Sequence, residues 1–91
     1  MAGELQERAK RFIARPIPKD MKYVSGSMAE QIIAAFAKKG RIEADAELLE
    51  MLELCAMDSE NVALDAKGEE KLYLTESAGI LRAIVLESGP K

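Results

Sequence analysis

A chain of 91 residues, 48% apolar and 32% charged, has material for one domain with one modest core. It contains no histidine, which excludes an imidazole base, a Ser-His-Asp arrangement and the commonest zinc ligand, and its single cysteine, Cys55, excludes an internal disulfide. The net charge of −3 is divided unevenly: residues 1–41 hold nine Lys/Arg against four Asp/Glu, and residues 42–91 hold four against twelve, which predicts an electrostatically oriented surface.

The first residues, Met1 to Glu7, carry acids and no apolar stretch of the signal-peptide kind. The longest apolar run, Ile32 to Ala37, is far short of the ~20 residues that span a bilayer. A cytoplasmic protein with no membrane partner is the expectation.

Residues 4–15 predict a first helix, with Leu5, Ala9, Phe12 and Ile13 on one stripe. Glu4–Arg8 and Glu7–Arg11 stand at i,i+4 in the favourable order and are expected to pair. Pro16 disfavours helical geometry at Arg15 and ends this element. Residues 15–27 then read as a connector.

Ser27 and Glu30 form a capping box for a second helix reaching about Lys39, with Gly40 as its stop. Met28, Ala29, Ile32, Ile33, Ala35, Phe36 and Ala37 cover so wide an arc that this helix is expected at the centre of the core. A third helix is expected from about Asp45 to Met57. Its stripe comprises Leu48, Leu49, Met51, Leu52, Cys55 and Ala56, with Glu47, Glu50 and Glu53 opposite. Leu54 projects among those carboxylates, and Asp58-Ser59-Glu60-Asn61 reads as the helix end.

Val62/Leu64 and Leu72/Leu74 alternate about the polar stretch near Lys67-Gly68, which predicts a small β-hairpin near residues 62–74. Thr75 is the expected cap of a last helix to about Glu87, carrying Ile80, Leu81, Ile84 and Val85 on its apolar face. Gly79 and the Ile84-Val85 pair argue for a strand in the same place, and length favours the helix. Residues 88–91 read as a flexible tail. The expected class is mostly α (α+β): one domain, 1–91, of three to four helices with a small hairpin.

The chemistry is sparse. Asp58 to Glu69 has the length of a calcium loop, but its sixth position is Ala63, where the sharp turn needs glycine. Ser25-Gly26-Ser27 precedes a helix N-terminus, yet no phosphate-binding glycine motif exists and Glu30 competes for the same N–H groups. Cys55 lies on an apolar stripe with no ligand partner, as a buried inert thiol would. No cofactor, metal, catalytic residue or small-molecule substrate is expected.

Two features favour binding. Arg8, Arg11 and Arg15 form a basic stripe, continued by Lys19 and Lys22. Leu54, with Met57 beside it, stands among carboxylates. The resulting expectation is a non-enzymatic regulatory or adaptor protein acting through protein–protein contact, with homodimerisation as one form of that contact.

The other expectation concerns DNA. Leu74-Thr75 followed by Gly79 resembles the wing-to-helix passage of MarR- or PadR-like regulators, with the glycine displaced by one residue from their usual spacing. This resemblance covers a few residues and implies a winged-helix transcriptional regulator. Against it, the third helix, which would enter the major groove, carries Asp45, Glu47, Glu50 and Glu53 and no Lys or Arg, so it would repel phosphates. RNA is less favoured still, because Phe12 and Phe36 are committed to core-facing stripes, leaving few rings on which bases could stack.

Overall fold

The computed structural model describes residues 2–15 and 28–88, which form four helices and, among the described residues, no strand. The helices are α1 (Ala2–Ala14), α2 (Met28–Lys39), α3 (Ala46–Asp65) and α4 (Gly68–Ser88). The connector expected at 15–27 lies outside the described residues apart from Arg15, as do Ser27 of the expected capping box and the tail beyond Ser88.

In α1, Leu5, Ala9 and Phe12 are buried, and Ile13 lies at the edge of that stripe. In α2, Ile33, Phe36 and Ala37 are buried while Ala34 and Ala35 face outward. The stop after α2 is built as glycine chemistry requires. Gly40 takes φ +76°, a conformation costly to any residue with a Cβ, and its N–H donates to the Phe36 carbonyl at 2.7 Å. The Gln6 side chain of α1 reaches across and donates from Nε2 to the Ala37 carbonyl at 3.1 Å, satisfying a second carbonyl of the same end.

Asp45 caps α3: its side chain accepts from the Leu48 N–H at 2.9 Å. The helix then passes through Asp58-Ser59-Glu60-Asn61, where the sequence predicts an end, and continues to Asp65. After Ala66-Lys67, Gly68 turns the chain at φ +62° and α4 begins, so α3 and α4 form an antiparallel helical hairpin.

The β-hairpin at 62–74 and the α+β class are thereby corrected: among the described residues every regular element is a helix. Val62-Ala63-Leu64 is the last part of α3, and Leu72-Tyr73-Leu74 lies in the first part of α4. The physical reason is a pair of buried serines. Ala56, Ser59 and Ala63 stand at i, i+3, i+7 on the buried face of α3; Tyr73, Leu74, Ser77, Ala78, Ile80, Leu81 and Ile84 form one buried arc on α4. Serine at 59 and 77 interrupts the apolar pattern in the sequence but is small enough to sit inside the packed pair. No buried side-chain polar atom among the described residues lacks a hydrogen-bond partner. The expected last helix is present, starting at Gly68 rather than after Thr75, and the strand alternative does not hold.

The centre of the core is also corrected. Both α2 and α4 meet all three other helices, but α2 lies chiefly against α1 and only lightly against α3, whereas the most extensive packing in the domain is between α3 and α4. Seven of the 21 residues of α4 are buried, including Leu74, Ile80, Leu81 and Ile84 at 1% exposure or less, so this helix is the hub. The Phe12 and Tyr73 rings meet at 4.8 Å in a tilted contact, joining α1 to α4.

Candidate functional site

The longer α3 creates a surface that the shorter expected helix could not. At 100° per residue, Leu54, Met57, Asn61 and Leu64 fall at i, i+3, i+7, i+10 and share about 80° of arc. This stripe lies on the side of α3 away from the buried Leu49, Leu52, Ala56 and Ala63. Its apolar members are open: Leu54 is 53% exposed, Met57 49% and Leu64 76%. Leu54 and Met57 are the residues singled out in the sequence, and the structure brings them together on one face. Leu64 escapes sequence reasoning because the alternation of Val62 and Leu64 reads as a strand, where its spacing to Leu54 and Met57 has no meaning.

All charges on α3 are acidic: Glu47, Glu50, Glu53, Asp58, Glu60 and Asp65, with no Lys or Arg in the helix. By helical position Glu47, Asp58 and Asp65 flank the stripe on one side, and Glu53 and Glu60 on the other; Glu50 stands within it. Glu60 is held by Arg82 of α4, whose Nη2 and Nε donate to its two carboxylate oxygens at 2.6 and 3.0 Å. Those hydrogen bonds hold the Glu60 carboxyl below its ordinary range and raise the Arg82 guanidinium. No other ion pair engages an acid of α3 among the described residues.

The basic segment is arranged differently from the expectation. Arg8 pairs with Glu76 of α4 at 3.2 Å, not with Glu4, and Glu7 pairs with Lys10 at 3.6 Å, not with Arg11. Arg8 is thus an internal tie between α1 and α4 rather than part of an open stripe. Arg11 and Arg15 are exposed. Lys19 and Lys22 lie outside the described residues. Among the described residues α1 and α3 do not pack against each other, so these arginines and the acidic face belong to helices that are not neighbours.

The calcium-loop segment 58–69 is helical up to Asp65 and again from Gly68, so it makes no loop around an ion. Among the described residues no group of three potential metal ligands converges. Cys55 is half-buried; burial, and then the nearby Asp58 charge, push its thiol above the ordinary range, which disfavours the nucleophilic thiolate. A groove of about 340 Å³ opens between the start of α1 and the end of α4, lined by Glu4, Leu5, Arg8, Ala83, Leu86 and Glu87. Among the described residues no helix is long and apolar enough to cross a membrane.

Among the described residues the fold defines a four-helix, all-α domain built on an α3–α4 hairpin. No family model matches the chain, and no curated protein or solved structure is similar enough to count as a match.

Proposed function

We propose that this chain is a small non-enzymatic regulatory or adaptor protein that works by protein–protein contact in the cytoplasm, through the outer face of α3. One observation carries the reading: three large apolar side chains, Leu54, Met57 and Leu64, stand exposed on one stripe of a helix whose opposite face is already committed to the core. A lone exposed leucine needs no explanation, whereas aligned exposed apolar residues rimmed by polar groups mark interaction surfaces.

The DNA-regulator reading has less support. The segment expected to form the wing is helix, Gly79 lies within α4, and the helix that would enter the groove carries six acids and no base.

The test is affinity capture with the native chain and with Leu54→Ser/Met57→Ser/Leu64→Ser, after circular dichroism has shown equal helicity. Proteins held by the native chain are expected to be lost from the variant. If both retain the same set, the α3 face is not the working surface. Turnover of a small molecule by the purified chain would overturn the non-enzymatic assignment.

A further inference from the structure

We infer that the partner of the α3 face is a basic amphipathic helix of another protein, lying along Leu54–Leu64 with its own apolar residues on the stripe and Lys/Arg on both flanks. The inference rests on the reading above and names the occupant.

Charge complementarity decides the occupant. Acids stand on both sides of the stripe, at Glu47, Asp58 and Asp65 on one flank and at Glu53 and Glu60 on the other, and among the described residues Arg82 alone answers them, paired to Glu60 and felt by Glu53. An incoming acidic or neutral element would desolvate these carboxylates without compensation. A helix with bases on both flanks offsets that cost, is steered towards the face before contact, and is selected over acidic competitors. The stripe from Leu54 to Leu64 is about 15 Å long, which matches about three turns of a partner helix meeting it at i, i+3/i+4, i+7. Met57 at its middle has the flexible, polarizable side chain that adapts to partners of different shape.

A second copy of the chain fits worse in either geometry. A two-fold dimer through this stripe sets one all-acidic helix against another, with like charges facing. Contact between the α3 acids of one copy and Arg11 and Arg15 of the next brings two exposed arginines to a helix carrying six acids, and so leaves most of those carboxylates unbalanced.

The experiment uses two synthetic helical peptides with identical leucine stripes, one flanked by Lys/Arg and the other by Glu. Binding to the full chain is followed by fluorescence anisotropy, and the footprint by amide chemical shifts. The basic peptide is expected to bind, with shifts centred on residues 54–64, and to weaken at least about tenfold between 0.05 and 0.5 M salt as the screening length shrinks. Glu50→Lys/Asp58→Lys is expected to weaken binding of the basic peptide and narrow the preference between the two, and this variant changes only exposed residues. Equal affinity for both peptides, no binding by either, a footprint on the α1–α4 groove, or self-association lost in Leu54→Ser would each overturn the inference. If the triple-serine variant still loses its captured proteins while the basic peptide fails, the face stands and only the partner's chemistry is wrong. If the variant loses nothing, the reading beneath the inference has failed as well.

Discussion

The Arg8 guanidinium of α1 lies over Gly79 of α4: a Cβ built on Gly79 would stand 3.0 Å from Arg8 Nη2, while Arg8 Nε donates to Glu76 at 3.2 Å. The glycine that looks like a strand or wing signal in the sequence is a helical residue that leaves room for an arginine from another element.

Gly79→Ala sets two small effects against each other. Alanine is favoured over glycine within a helix by about 0.5–1 kcal/mol. The crowded atom is the far end of a flexible side chain, and the ion pair it makes is partly exposed, worth about 0–1 kcal/mol. The expected outcome is a near-neutral Gly79→Ala in the native background and a gain of about 0.5–1 kcal/mol in an Arg8→Ala background. Urea unfolding of the four members of this cycle measures it; equal effects in both backgrounds would show that Arg8 and Gly79 are uncoupled.

Gly40 is the contrary case. Its φ of +76° strains any other residue, and a Cβ there would meet Gln6 Oε1 at 3.0 Å. Gly40→Ala is expected to destabilise by about 1 kcal/mol or somewhat more. Gln6→Ala, which removes the bond to the Ala37 carbonyl, is expected to cost about 0.5–1.5 kcal/mol. A Gly40→Ala chain as stable as the native one would remove the backbone argument.

Within α4, exposure separates two aliphatic truncations. Ile84 is fully buried, and Ile84→Ala is expected to cost about 2–5 kcal/mol through lost contacts and a residual cavity. Leu86, two residues on, is 83% exposed, and Leu86→Ala is expected to stay within about 0.5 kcal/mol of native. Chemical denaturation reads both, and comparable losses would mean that the helix faces are assigned wrongly.

The Glu60–Arg82 bridge predicts a pH dependence with a definite sign. The hydrogen bonds from Arg82 lower the folded pKa of Glu60. A carboxyl lowered on folding stabilises the fold above its unfolded value, about 4.3, and loses that contribution as pH falls through the folded value. Below that range the native chain should therefore lose more stability than Glu60→Gln, whose bridge is already gone. Both partners are exposed, so the difference should be small and should fade in high salt. Thermal unfolding at pH 7 down to 2 tests it, and parallel profiles for the two chains count against a lowered Glu60.

Helix α1, helix α2 with its glycine stop and the Asp45 start of α3 were legible in the sequence, while 76–87 stood between helix and strand with length favouring the helix. Each depends on interactions within a few residues, such as the spacing of Leu5, Ala9 and Phe12 or the αL turn at Gly40. Leu54 was legible as an anomaly because it breaks an acidic face. What escaped was governed by distant contacts. Ser59 and Ser77 read as breaks, and are instead buried where α3 and α4 pack. Without them the helical period is lost, and the short runs 62–64 and 72–74 look like strands.

The chain's own letters determined a small domain without imidazole, its helical local preferences and its opposed charges, since these follow from composition and near-neighbour stereochemistry. Tertiary packing alone decided that 62–65 and 68–74 are helical, that α4 is the hub, that Arg8 is tied to Glu76 and that Leu64 joins Leu54 and Met57. Short apolar runs suit either periodicity, and only burial against a partner helix selects between them.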